Sequence, residues 1–260
     1  MKKLIRFVLN RVPRRYVQRV AHWATPVAGL FLARWGCRSR GGGVECPVCG
    51  ACYRRFLPYG YGPVRDNALC PKCMSLERHR LMWLWLVRES DFFTANPRVL
   101  HIAPERCFIR RFERVLGEGY ITADLESPLA KVKMDIQAIP FPDGEFDVIF
   151  CNHILEHVED DRLAMREMHR VMRPGGWGVM LSPVNYEREF TYEDPAITTP
   201  EARAVAFGQH DHLRDYGRDY PQRLCEAGFR VREIDYCRQL SSEEVKRFAL
   251  RHEILYIVEK

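Results

Sequence analysis

Four cysteines fall in two Cys-x-x-Cys pairs, Cys46-Pro-Val-Cys49 and Cys70-Pro-Lys-Cys73, with 20 residues between them. Two such knuckles let four thiolates meet one Zn²⁺ tetrahedrally, and the spacer is long enough for the hairpin of a zinc ribbon. Four thiolates leave no position for water, so the expected Zn²⁺ is structural. A segment this short would take much of its stability from the metal. Cys52 is a substitute ligand, and Gly50 stands where the first knuckle turns and a positive φ is tolerated. Tyr53-Arg54-Arg55-Phe56 and Tyr59-Gly60-Tyr61 mix aromatic and cationic groups between the knuckles. That mixture suits stacking on a base or sugar, and equally the plain filling of a ribbon.

A second set of polar residues stands at the ends of short apolar runs. Val99-Leu100-His101-Ile102-Ala103 runs into Pro104-Glu105, and Tyr120-Ile121-Thr122-Ala123 delivers Asp124 about twenty residues later. An acidic residue at the end of a second parallel strand is the usual partner of ribose hydroxyls in nucleotide-like cofactors. Phe146 to Cys151 ends at Asn152-His153, with Leu155-Glu156-His157-Val158 at the expected start of the next helix. Downstream, His210-Asp211-His212 alternates imidazole and carboxylate. It could supply a base, a metal pair or an orienting carboxylate. A metal needs more ligands than one such run offers, so the base reading leads.

Short apolar runs at Arg98–Ala103, Tyr120–Asp124, Phe146–Asn152, Gly178–Pro183, Phe229–Tyr236 and Ile254–Val258 must position these groups. Helical stretches separate them, which predicts a mostly parallel, doubly wound α/β sheet. Ligands in such sheets bind beyond the carboxyl ends of the central strands. Leu76 to Glu89 reads as a helix with Leu81, Leu84, Trp85 and Val87 on its apolar face. The expected domains are a basic amphipathic segment over 1–44, a zinc ribbon over 45–75, and an α/β domain over 76–260. Within the last, a linking helix covers 76–90, the core starts at 97, and a substrate cover spans about 184–220.

The chain has 260 residues, 47% of them apolar and 28% charged, an ordinary globular composition that argues against widespread disorder. The apolar stretch Val20–Ala33 is shorter than the roughly 18–20 residues a bilayer-spanning helix needs, and His22 and Pro26 break it. A polytopic membrane protein is excluded. Residues 1–44 carry ten Lys/Arg and no Asp or Glu, leaving the rest of the chain with a net charge of −4. Ile5, Val8, Leu9, Val12, Tyr16 and Val20 recur at helical steps among the arginines, and Trp23 and Trp35 bracket the next apolar stretch. Such a segment fits peripheral contact with an anionic membrane surface, packing on its own catalytic domain, or, less readily, nucleic acid. An organelle transit peptide is a further reading of its basic, acid-free character. Of the ten cysteines, those outside the two pairs are scattered, which fits a reducing, cytoplasmic setting better than disulfides.

Residues 97–185 resemble a class I S-adenosylmethionine-dependent methyltransferase of the small-molecule "type 11" sort. The matching segments are MDIQAIPFPDGEFDVIFCNHILEHVED and REMHRVMRPGGWGVMLSP, spanning Met134 to Pro183. The resemblance implies a Rossmann-like seven-stranded sheet of order 3-2-1-4-5-7-6, its last strand antiparallel and placed at Ile254–Val258. It implies S-adenosylmethionine as cofactor, with Asp124 at the ribose, Asp135 and Ile136 at the adenine, and Asn152 and His153 near the methyl donor. The family usually has an acidic residue ending its first strand and a glycine-rich turn about the amino-acid part of the cofactor. Here His101, Ala103 and Glu105 occupy that loop, with no glycine, so a differently shaped turn is expected. His153, His210 and His212 are the candidate bases, and His157 reads as a structural residue of the family motif. The expected activity is methyl transfer to a small-molecule, glycan or lipid-linked acceptor. Alternatives are an RNA methyltransferase whose zinc ribbon touches ribosomal RNA, and an inactive cofactor-binding or adaptor protein. The acidic body, without a basic stripe, disfavours RNA.

Overall fold

A computed structural model describes residues 43–60 and 63–260, so the basic segment expected over 1–44 lies outside the described residues apart from its last two. The chain divides into two compact units. The first comprises the cysteine knuckles and the chain from there to Asp91, together with 106–108 and Asp235–Glu253. The second holds Phe92–Glu105, Ile109–Ile234 and Ile254–Lys260. Among the described residues no helix is long and apolar enough to cross a membrane.

In the first unit, β1 (Val44–Glu45) pairs with β2 (Cys52–Tyr53), and β3 (Leu57–Tyr59) with β4 (Arg65–Leu69), both antiparallel. The first knuckle joins β1 to β2, the second follows β4, and the two close alike. Gly50 N donates to Cys46 O and Met74 N to Cys70 O, while Cys46 N and Cys70 N donate to Ala51 O and Ser75 O. Gly50 has φ 67° and Met74 φ 64°, so the second knuckle makes a glycine-type turn with a methionine. Helix α1 (Glu77–Glu89) comes next, with Leu81, Met82, Leu84, Trp85 and Leu86 buried. Val87, expected on the apolar face, is 52% exposed.

Arg80 is the hub of this unit. It is fully buried and donates to four carbonyls: Ala68 at 2.8 Å, Ser75 at 3.0 Å, Phe248 at 2.8 Å and Ala249 at 2.7 Å. Its guanidinium also lies 4.4 Å from the centre of the Phe56 ring. The fork therefore ties β4, the second knuckle and the 235–253 segment together with its donors paired, which is the condition for burying a charge.

The second unit is built on a seven-stranded sheet. Its strands are β5 (Val99–Ile102), β6 (Tyr120–Asp124), β7 (Val132–Lys133), β8 (Phe146–Asn152), β9 (Met172–Leu181), β12 (Arg230–Ile234) and β13 (Leu255–Glu259). Counted along the chain as 1 to 7, they lie in the order 3-2-1-4-5-7-6. The first five are parallel, and β13 runs antiparallel to both β9 and β12. Helices α2 (Arg106–Leu116) and α3 (Asp161–Val171) alternate with the strands, and the short β10 (Tyr192–Glu193) and β11 (Arg214–Asp215) flank α4 (Pro200–Ala206). Helix α5 (Tyr220–Glu226) leads into β12. The central strands β5 and β8 are buried almost throughout, as strands covered on both faces must be. Phe92, Phe112, Tyr120, Phe150 and Trp177 pack about them.

Two boundaries differ from the sequence expectation. The strand expected over Gly178–Pro183 begins earlier, at Met172, so Arg173-Pro174-Gly175-Gly176 belongs to β9. Two steps along β8, from Phe146 to Val148, face five along β9, from Met172 to Trp177. The extra residues bulge around Pro174, which cannot donate to the ladder, and Gly175 at φ 76°. Leu155–His157, expected to open a long helix, is a single 3-10 turn, and α3 begins only at Asp161. There Asp160 caps the helix by accepting from Leu163 N at 2.8 Å.

Candidate active site and metal centre

The four cysteines of the first unit converge. One sulfur from each lies within 4.8 Å of the others, with Cys46 Sγ 3.5 Å from Cys73 Sγ and Cys49 Sγ 3.7 Å from Cys70 Sγ. Zinc–sulfur bonds of about 2.3 Å make the edge of a tetrahedron about 3.8 Å long, so the donors already stand at the spacing of a Cys₄ zinc site. Ser75 Oγ lies 3.2 Å from Cys46 Sγ and 3.3 Å from Cys73 Sγ, an outer hydroxyl for two of the ligands. Cys52 stands in β2, outside this cluster.

In the second unit, the polar strand ends form a chain. His101 is fully buried, its Nδ1 2.6 Å from Tyr120 Oη and its Nε2 bonded to Glu105 Oε2. Glu105 Oε1 accepts from Asn152 Nδ2 at 2.9 Å, and Asn152 Oδ1 faces Leu181 N at 3.4 Å. Residues from β5, β6, β8 and β9 are thereby joined through one half-buried carboxylate. The loop after β5 makes its turn without glycine. Ala103 takes φ 46° and donates its N–H to Ala123 O at 2.8 Å. His153, at the end of the adjacent β8, takes φ 57° and donates to Leu181 O at 2.7 Å. Two neighbouring strands thus both end on left-handed non-glycine residues, a costly conformation concentrated at functional sites.

Asp124 sits half-buried at the end of β6, and its Oδ1 accepts from Glu126 N at 2.8 Å and Ser127 N at 2.7 Å. Asp135 is exposed, with Gln137 N donating to it at 2.9 Å, while Ile136 is buried beside it. The bases expected from sequence part company. His210 is exposed, its Nδ1 3.9 Å from Asp211 Oδ1. His212 is half-buried and joins Glu156 and His157, one ligand atom of each lying within 4.8 Å of the others. His153 Nδ1 lies 3.6 Å from Glu156 Oε1. Burial pushes the His212 imidazole below its ordinary range, favouring the neutral ring. Burial opposes charge on Glu156 too, yet the imidazoles of His153 and His157 hold its carboxyl below the usual range.

Sequence reasoning passed over Glu156 and Tyr120. The acid lies between two histidines, and the only signal for it was that spacing. Tyr120 pairs in register with Val99, two residues before His101, and nothing in a linear pattern reveals that its hydroxyl reaches the imidazole.

A methyltransferase-domain model matches residues 120–180. The chain is 32% identical over 189 residues to the ubiquinone/menaquinone biosynthesis C-methyltransferase UbiE of Pectobacterium carotovorum, an alignment covering 60% of this chain and 75% of that one. The chain belongs to the S-adenosylmethionine-dependent methyltransferases. This methyltransferase is also 30% identical over 107 residues to the ajmaline N-methyltransferase of Rauvolfia serpentina, covering 41% of this chain and 34% of that one. A solved S-adenosylmethionine-dependent methyltransferase of Archaeoglobus fulgidus aligns with 16% identity over 73% of this chain and 96% of that one, at a TM-score of 0.45.

Proposed function

We propose that this methyltransferase acts on a small-molecule, glycan or lipid-linked acceptor. The observation that carries this reading is the 32% identity over three-quarters of a relative whose name places it in quinone biosynthesis. The net charge of −4 beyond residue 44 supports it, because a polyanionic RNA substrate calls for a basic surface.

The strand ends suit the cofactor chemically. Glu105 offers a carboxylate to the ammonium of the amino-acid part, from the loop where the family usually places glycines. Asp124 suits the ribose diol, and the buried Ile136 with Asp135 suits the adenine. When bound, S-adenosylmethionine supplies a methyl group on an electrophilic sulfonium. What remains for the protein is in-line positioning and, for an alcohol or acidic C–H acceptor, removal of a proton. His153 is the candidate to take that proton, since Glu156 beside it favours the imidazolium that results. The cysteine cluster holds a structural Zn²⁺, which organises the first unit and takes no part in the transfer.

The test is transfer of labelled methyl from the cofactor into small-molecule, lipid and RNA fractions of an extract, with mass analysis of the product. Label in the small-molecule or lipid fraction supports the reading. Label confined to RNA would replace it with the RNA reading, and absence of cofactor binding by calorimetry would leave the adaptor reading.

A further inference from the structure

We propose that Glu156, His157 and His212 form a second metal site, which takes a divalent first-row transition-metal cation through two imidazoles and one carboxylate. The His-Asp-His run offers too few ligands by itself, but the fold supplies the missing ones from the 3-10 turn after β8. That turn and the cover segment are clamped together. Leu213 N donates to Glu156 O at 2.8 Å, and Arg214 donates to Leu155 O at 2.7 Å, Val158 O at 2.6 Å and Glu159 O at 2.8 Å. The residue before this clamp is His212, so its ring is fixed against the turn. Its centroid lies 4.8 Å from that of His157, with the planes at 80°.

The outer hydrogen bonds orient all three groups. His157 Nδ1 lies 3.0 Å from Asp211 O, and His212 Nδ1 lies 3.1 Å from Phe207 O. A backbone carbonyl only accepts, so each Nδ1 carries the hydrogen and each Nε2 presents its lone pair. Histidine ligands are held in this way in metal sites, by a carbonyl or carboxylate on the other ring nitrogen. Glu156 is 2% exposed, and its Oε2 accepts from Ser182 Oγ at 3.1 Å. A carboxylate with two oriented imidazoles is a nitrogen and oxygen donor set suited to zinc, iron, cobalt or nickel. Three protein ligands leave coordination positions open, unlike the four thiolates. Because His157 and His212 are only half-buried, those positions are within reach of a solute. Glu156 follows the end of β8 and Ser182 the end of β9, where open parallel sheets take their ligands. A cation there would polarise an acceptor oxygen and, by taking up the Glu156 charge, lessen that carboxylate's support for a protonated His153; both effects rest on the methyl-transfer reading, whereas the metal binding does not.

The test is a Co²⁺ titration of full-length protein whose cysteine site is filled with Zn²⁺, followed by calorimetry and visible absorption. One equivalent of Co²⁺ is expected, with ligand-field bands and no thiolate charge-transfer band. His212→Asn should weaken that equivalent at least tenfold while zinc content and circular dichroism stay unchanged. Ser182→Ala, which leaves the three ligands intact, should weaken it about 10–100-fold. No Co²⁺ uptake by the wild type, or equal uptake by His212→Asn, would overturn the site and leave the three residues a hydrogen-bonded hub. Cofactor affinity measured on the same samples separates the two readings: Co²⁺ uptake without cofactor binding spares this site and sinks methyl transfer, and the converse result does the reverse.

Discussion

Glu105→Gln isolates the charge at the centre of the strand-end chain. The carboxylate accepts from two donors, the His101 ring through Oε2 and Asn152 Nδ2 through Oε1 at 2.9 Å. A glutamine has one acceptor oxygen, so its amide nitrogen must face the Asn152 donor, or face a His101 ring turned to its other tautomer, whose Nδ1–H then donates to the Tyr120 hydroxyl. Asn152 relieves the clash only by flipping, which turns its amide nitrogen toward Leu181 N, the donor its oxygen now faces at 3.4 Å. Each arrangement disturbs one hydrogen bond of the buried chain, at a cost of about 1–3 kcal/mol. For a chain of this size that lowers Tm by about 2–4 °C per kcal/mol. If Glu105 also meets the cofactor's ammonium, the lost charge-assisted bond adds about 1.5–3 kcal/mol to the binding free energy, or about 10- to 150-fold in Kd. Calorimetry with S-adenosylmethionine at a temperature well below the lowered Tm measures the second effect apart from the first. A Kd within twofold of wild type, with the Tm reduced, would show that Glu105 organises the strand ends without touching the cofactor.

Chelator-free protein should contain zinc on Cys46, Cys49, Cys70 and Cys73, and Cys73→Ser should release it and unfold the first unit. Metal analysis with circular dichroism checks this, and a zinc-free, reduced protein with an intact first unit would refute it. Ala103→Gly should raise stability by up to about 1 kcal/mol, because glycine adopts φ 46° without the Cβ penalty. Thermal unfolding reads it, and a fall in Tm would contradict the left-handed turn. The Arg65 guanidinium, 2.8 Å from Glu77, outweighs burial and holds that carboxyl below its usual range. Since the folded pKa is the lower one, the pair's contribution is complete above the unfolded value of about 4.3 and disappears as pH falls through the folded value. Glu77→Gln should therefore flatten the acid limb of the stability profile below about pH 5, and an unchanged limb would rule the pair out. Full-length protein should pellet with anionic vesicles, with a salt-sensitive and a salt-resistant part, and a chain starting at Gly43 should not. Indifference of the intact protein to such vesicles at low salt would favour packing of residues 1–44 on the catalytic domain.

Elements whose identity rests on local repetition were legible in sequence. β6 and β8 have the expected bounds, and α1 begins within a residue of its expected start, because apolar runs and helix formers signal themselves. The Cys-x-x-Cys spacing likewise announced a cluster that folding brings together. What sequence missed depends on partners far along the chain. β7 has two residues, and only its pairing with β6 makes it a strand. The bulge in β9 hides behind a Pro-Gly-Gly run that reads as a helix terminus. His101 and His212 were visible as imidazoles, but their partners come from the start of β6 (Tyr120) and from the 3-10 turn after β8 (Glu156). The 235–253 segment, which reads as part of the α/β domain, groups with the cysteine unit because Arg80 draws the carbonyls of Phe248 and Ala249 to itself.

The cover segment is held by an ionic network as well as by the buried rings of Phe207, Tyr216 and Tyr220, and the network fixes where the site can tolerate change. Arg223 meets Asp161 at 3.1 Å and Glu193 at 2.8 Å, Arg214 meets Glu193 at 3.0 Å, and Tyr216 donates to Asp161 at 2.6 Å. Asp161, Arg214 and Arg223 are buried, and Glu193 comes from β10. Arg223 also meets Asp219 at 3.6 Å, so the two arginines face three acids, of which Glu193 stays exposed to water. Removing Asp161, the buried acid shared by Arg223 and Tyr216, leaves buried donors short of an acceptor, at a cost of about 3–5 kcal/mol. Such a hub contributes less to stability than an apolar core would, yet its directed bonds accept one geometry. Arg214 spends its remaining donors on the carbonyls around the 3-10 turn, so the same side chain that closes the ionic network also sets His212 beside Glu156. Tyr186, Phe190 and Val205, by contrast, are exposed on the same cover. The segment therefore joins an inner edge, where directed bonds align the ionisable groups, to solvent-exposed side chains that stand outside that network.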